Sequence, residues 1–356
     1  MSSRAQAPSL GIVDRFLPVW ILAAMALGLL LGNLFPGLQS ALDKVKVAGV
    51  SLPIALGLLW MMYPVLAKVK FDRAARMFGN TKLLATTSIL NWIVGPLLMF
   101  SLAWIFLPDE PAYRTGLILI GLARCIAMVL IWNMLACGDG EMAAVLVAIN
   151  SVFQIIMYSV LGWFLLSELP QWIGLDSSDF DVSMGTIALN VGIFLGIPLL
   201  AGLLSRLVLT NLKGEDWYEN TYLKKIGPTA LLGLLYTIVL MFAMQGEQLL
   251  DRPQVIVRIA IPLLIYFVLM FFIAFFFARW QGFSYEETTA IAFTAAGNNF
   301  ELAIAVAIGL FGITSGEALA GVIGPLIEVP VLVALVYVAL WMRDRFFPTS
   351  TREAIA

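Results

Sequence analysis

The chain has 356 residues, 61% of them hydrophobic and 12% charged, with a net charge of −2 and a mean hydropathy of +0.94. No soluble domain of this length needs so much apolar surface, so the composition predicts an all-α membrane protein of many spans, with the bilayer as its surroundings. No basic cluster with interleaved aromatics points to nucleic acid. The absence of histidine argues against an imidazole-held zinc or haem, so no cofactor is expected and proton handling falls to carboxylates.

Residues 1–17 are polar or mixed, carry Arg4 and Arg15, and show no small-residue cleavage site, which predicts a retained first span. Ten hydrophobic spans follow: Pro18–Phe35, Leu52–Ala67, Leu83–Leu107, Thr115–Ala136, Met142–Leu166, Met184–Leu209, Ile226–Met244, Val255–Phe277, Thr288–Phe311 and Ala318–Trp341. Most match the thickness of bilayer hydrocarbon, and the second is short. The longest connection, Thr210–Lys225, is polar and suits a short surface helix. Cys125 and Cys137 share one span. On a continuous helix they would stand about 18 Å apart, too far for a disulfide.

Lysine and arginine set the orientation. With the N-terminus inside, the inner segments collect Arg4, Arg15, Lys68, Lys70, Arg73, Arg76, Lys82, Arg206, Lys213, Lys224, Lys225, Arg279, Arg343, Arg345 and Arg352. The outer loops hold only Lys44, Lys46, Arg114, Arg252 and Arg258. Both termini, 1–17 and 343–356, are therefore expected in the cytoplasm.

One offset of 176 residues relates three pairs of segments. Gly121-Leu122-Ala123-Arg124-Cys125 meets Gly297-Asn298-Asn299-Phe300-Glu301; Gly57-Leu58-Leu59-Trp60 meets Gly233-Leu234-Leu235-Tyr236; Gly140-Glu141 meets Gly316-Glu317. Five spans per half is an odd number, so the second half must enter the membrane upside down. The expected architecture is two inverted five-helix repeats, 18–167 and 184–342, joined by an external loop at 168–183. Spans four and nine are its broken, crossing helices, with binding near the midplane.

Gly297 to Glu301 place a glycine, two amides and an acid where hydrocarbon should be. An ionised group there costs about 2.5–3.5 kcal/mol, so such residues usually face a cavity and carry function. Breaks are expected at Gly121 and Gly297. Asn298 or Asn299 is then a natural N-cap, and Glu301 falls in the first turn of the following half-helix. Cys125 is expected in the equivalent first turn, where the helix terminus and Arg124 would favour the thiolate. Helix packing by glycine and inter-helix bonding by asparagine explain single residues of this kind as well. In span ten, Pro325 and Pro330 flank Glu328 and predict a bend. In span five, Asn150, Gln154 and Tyr158 repeat at i, i+4, i+8 and should look inward, either to the site or as glue between helices. Asn91 and Asn190 read as structural. Arg124 can neutralise only one of Glu301 and Glu328, and the acid left over should take up a proton.

Gly121 to Val129 followed by Trp132-Asn133 resembles the fourth-helix signature of the ten-helix arsenite efflux permeases, in the bile/arsenite/riboflavin transporter superfamily. Phe293 to Ala303 resembles their ninth-helix signature and Gly324 to Val331 their tenth. The resemblance spans the whole chain and implies a non-enzymatic exporter of arsenite, often with antimonite, driven by protons across the inner membrane. It also implies that Cys125 is the required thiol that takes trivalent arsenic as cargo. Glu301 would be the required acid, and Arg124 and Glu328 a charged pair. Asn298 and Asn299 would complete the substrate site. Met134 departs from the polar residue expected after Trp132-Asn133. The competing expectations are a sodium-coupled organic-anion carrier, with Arg124 facing a carboxylate, and an intramembrane enzyme using Glu301 and Glu328 as paired acids.

Overall fold

The computed structural model describes residues 16–35, 37–38, 46–47, 50–69, 80–126, 128–175, 183–251 and 253–347. Most of the N-terminal segment with Arg4 and Arg15, the tail beyond 347 with Arg352, and Lys44, Lys70, Arg73, Arg76 and Arg252 lie outside them. Among the described residues the fold is helical, apart from β1 (Lys46–Val47) and β2 (Val50–Ser51), a two-residue antiparallel pair that the sequence did not suggest.

The helices are α1 (Leu17–Leu34), α2 (Leu52–Leu66), α3 (Thr81–Phe106), α4 (Pro111–Leu122), α5 (Met128–Leu135) and α6 (Gly140–Trp172). They continue as α7 (Met184–Lys213), α8 (Thr229–Asp251), α9 (Pro253–Trp280), α10 (Tyr285–Ala296), α11 (Phe300–Phe311) and α12 (Gly316–Phe346). Among the described residues, six helical stretches are long and apolar enough to cross a bilayer by themselves. Helix α6 runs to Trp172, so the loop expected from 168 begins later. The polar connection after α7 does hold a surface helix, Glu215 to Ile226 with one π turn.

Three long spans carry a π turn: Leu90–Val94 in α3, Phe164–Glu168 in α6 and Gly192–Gly196 in α7. In each, a proline follows two residues later, at Pro96, Pro170 and Pro198. Proline has no N–H to continue the α ladder, and the π register accommodates that loss without breaking the span.

Two groups of helices pack face to face. Helix α8 lies against α1 and α2, and α7 also packs on α2. The second group holds α3 to α6 and α9 to α12 around the two interrupted helices. On one flank, Arg258 of α9 forks onto Asp109, at 3.0 Å for one of its two hydrogen bonds, and holds that carboxyl below the usual carboxylate range. The contribution of this exposed clamp is complete above the ordinary aspartate range and fades as pH falls through the depressed value. Asp109→Asn should therefore abolish a small acid-side step in thermal midpoint and change nothing near neutrality.

Candidate functional site

Helix α4 ends at Leu122, Ala123 to Cys125 run extended, and α5 starts at Met128. Helix α10 ends at Ala296, Gly297 is extended with φ −74 and ψ 149, and α11 starts at Phe300. The two gaps cross each other as an antiparallel bridge between Arg124 and Asn298. Cys125 N–H donates to the Gly297 carbonyl at 3.2 Å, and Asn299 N–H to the Ala123 carbonyl at 3.0 Å. The Asn298 amide donates to the carbonyls of Ile120 (2.8 Å) and Ala123 (3.1 Å), while Gln154 Oε1 accepts from Arg124 N–H at 2.9 Å. Backbone opened inside a membrane must find partners within the protein, and here each gap supplies the other.

Asn299 is the N-cap of α11, its side chain accepting from Leu302 N–H at 3.1 Å, and Glu301 sits in that helix's first turn. Glu328 is buried on α12, and its Oε1 accepts from Asn298 N–H at 3.1 Å. Both acids line one cavity with Cys125 and Asn298. That cavity, of about 760 Å³, lies between the crossing and the α2–α8 wall. Of the span-five stripe, Tyr158 bonds the Leu119 carbonyl at 3.0 Å and Asn150 accepts from Asn91 at 3.3 Å. With Gln154 on the Arg124 peptide, the stripe faces inward but braces the crossing rather than the cavity. Asn190 returns to its own helix, onto the Thr186 carbonyl at 3.0 Å.

Three expectations need correction. Gly121 is still helical; a Cβ there would meet Met99 Cγ at 2.6 Å, so its part is close packing of α4 on α3. The break falls two residues later, where the bridge begins. Cys125 is not in the first turn of α5, because residues 123–125 are taken up by that bridge. The thiol belongs to the extended crossing rather than to a helical turn.

Arg124 is not paired with Glu328. Among the described residues no ion pair joins it to either acid. Its Nη1 donates to Tyr266 Oη (3.1 Å) and the Ala295 carbonyl (3.3 Å), and Nη2 to the Gly121 carbonyl. Those carbonyls lie in the last turns of α10 and α4, whose orphan acceptors and negative dipole ends converge there. The fully buried guanidinium thus closes two helix C-termini, while Glu301 sits in the first turn of α11 and Glu328, from within α12, accepts from Asn298 N–H. Tyr266, the partner on α9, carried no signal in the sequence beyond being a lone hydroxyl in a phenylalanine-rich span.

Met134 is 45% exposed on the outer side of α5, so its departure from the expected pattern does not face the cavity. Cys137 lies just past the same helix with φ 55, and neither cysteine is held in a disulfide. Among the described residues no three acids or thiols gather as a metal site, and Cys125 is the one thiol among the cavity's described lining residues.

Two structural substitutions follow from this geometry. Asn299→Ala should lower stability by about 1 kcal/mol through the lost cap. Gly121→Leu should cost about 1–3 kcal/mol, since Met99 must move. Thermal midpoints in detergent check both.

Residues 55–252 match the model of the Sodium Bile acid symporter family. The chain is 55% identical to the arsenical-resistance protein Acr3 of Corynebacterium glutamicum over 98% of its own length and 94% of that protein. It is 33% identical to the Acr3 arsenical-resistance protein of Alkaliphilus metalliredigens over 98% of both chains. An uncharacterized transporter of Synechocystis is 36% identical over 97% of this chain and 93% of that one. With the apolar helices and the site they build, these matches make the chain a membrane transporter of the Sodium Bile acid symporter family that groups with the arsenical-resistance proteins.

Proposed function

We propose that the chain exports trivalent arsenic from the cytoplasm, as arsenite and also as antimonite, in exchange for protons across the inner membrane. The observation that carries this reading is the Cys125 thiol lining a cavity shared with Glu301 and Glu328, in a chain 55% identical to an arsenical-resistance protein. Trivalent arsenic is thiophilic and soft ligands select it. One thiol holds it weakly enough to let go, where three would trap it. Asn298 gives the cavity a polar floor, Asn299 supports it from behind as the cap of α11, and Gly297 lets Cys125 approach, since a Cβ there would stand 3.0 Å from the cysteine's own.

No cation stands within ion-pair distance of Glu301 or Glu328 among the described residues, and a carboxyl in that setting is carried at least cost as the neutral acid. They are the groups that carry the proton inward while arsenic leaves. Counting α4 with α5, and α10 with α11, as single spans gives ten crossings among the described helices. That supports the inverted five-plus-five repeat with both termini in the cytoplasm.

Expression in cells without an arsenite exporter should restore growth on arsenite, and everted vesicles should take up arsenite when a proton gradient is imposed. Glu301→Gln should reach the membrane at normal levels, since the amide has the same size and can still hydrogen-bond near Asn298 and Asn299, yet lose the response to the gradient. Lost expression with normal transport per molecule would make Glu301 structural. The family match also favours a second reading, a sodium-coupled organic-anion carrier. Uptake that follows a sodium gradient and ignores arsenite would establish it instead.

A further inference from the structure

The cavity is far larger than its proposed cargo. Trihydroxyarsenic has four heavy atoms, and at about 30 Å³ for each water-sized group it fills roughly 120 Å³. The space beside Cys125 is about 760 Å³, within the range that holds whole organic ligands. Its charge is also sorted. Cys125, Glu301 and Glu328 lie on the crossing side, whereas Lys68 and Lys224, both exposed, line the cavity beyond the end of α2 and on the surface helix before α8. The two lysines belong to one wall: a Cβ on Gly227, three residues after Lys224, would stand 3.1 Å from Lys68 Nζ. Glu219 lines the same region, its carboxylate bonded to Arg206 at 2.9 Å. A site for a small neutral hydroxide needs no ammonium groups. An anion held by its far end does.

We propose that the cavity accepts arsenic(III) already bound to a low-molecular-weight thiol that bears carboxylates, with Lys68 and Lys224 holding the carboxylates while Cys125 takes the arsenic. The inference rests on the arsenic reading above. The step is an exchange at arsenic: a bond forms between Cys125 Sγ and arsenic, the carrier's sulfur–arsenic bond breaks, and the Cys125 proton leaves with the freed thiol. Nothing is oxidised or reduced. The thiol is returned to the compartment from which the cavity opens, and arsenic stays on the protein.

The test uses everted vesicles containing the full chain and three probes at equal total arsenic: arsenite alone, arsenite premixed with excess glutathione, and arsenite premixed with excess 2-mercaptoethanol, which has no carboxylate. Wild-type uptake from the glutathione mixture should match or exceed uptake from arsenite alone. Lys68→Gln and Lys224→Gln should each lower the ratio of glutathione-arm to mercaptoethanol-arm uptake by about tenfold, the loss expected for one charge-assisted bond. Arginine at either position should restore the ratio. Glutathione that depresses wild-type uptake in step with the arsenite it removes overturns the proposal, as do lysine variants that change all arms equally. Absence of uptake in every arm would instead defeat the arsenic reading itself.

Discussion

Cys125→Ser is expected to reduce arsenite uptake and arsenite resistance to background, with the protein still reaching the membrane in normal amount. The thiol is 2% exposed and its own N–H is already bonded to the Gly297 carbonyl, so serine fits the backbone geometry unchanged. What it lacks is the soft donor. Cys137→Ser is the control, since that residue lies beyond the far end of α5, away from the cavity lining. Its uptake should stay near wild type. If the two serine variants behave alike, the arsenic-on-thiol mechanism fails and the organic-anion reading gains ground.

The second large effect concerns Arg124. A charge pair with Glu328 would mean that Arg124→Ala strands a carboxylate, and that Glu328→Gln in the same chain restores folding. The observed contacts reverse that expectation. Arg124→Ala deletes bonds to Tyr266 and to the carbonyls of Ala295 and Gly121, each worth about 1.5–3 kcal/mol when the donor is charged. Membrane-inserted yield should collapse, and neither Glu328→Gln nor Glu301→Gln should bring it back. A double-mutant cycle on yield should give coupling below about 0.5 kcal/mol for both acids. Arg124→Lys keeps the charge but not the planar fork, so it should recover only part of the loss. Substantial rescue by Glu328→Gln alone would reinstate the direct pair.

These two cases show what the sequence could and could not carry. Gly297 to Glu301 announced a break because polar residues at mid-span have no other common use, and Asn299 as N-cap follows from local chemistry. Asn150, Gln154 and Tyr158 were legible as an inward face because helical spacing alone aligns them. The partner of Arg124 was not legible. Charge counting offers only carboxylates, whereas the true acceptors are carbonyls made available by the breaks themselves. The position of Cys125 went astray for the same reason: glycine marks where a helix can part, but the bridge decided where it did. Lys68 and Lys224 read only as inner-loop charges, since nothing in the primary structure says that two distant segments share one wall.

The reciprocal bonding at the crossing also fixes an order of events during synthesis. Ala123 and Cys125 are made some 170 residues before Gly297 to Asn299, which supply partners for the Ala123 carbonyl and the Cys125 N–H. Until then the first gap holds peptide groups with nothing to bond in hydrocarbon, a state the bilayer tolerates poorly. A nascent chain at that stage must keep its first half in a wetter setting or in a provisional helix that later yields. The closing contact is among the most remote in the sequence, and remote contacts form slowly. Final assembly of the transporter should therefore be a late, post-insertional event. Truncation in the connection after the first repeat, at residues 173–183, would yield a first half that inserts but is cleared by quality control, and supplying the second half as a separate chain should rescue it.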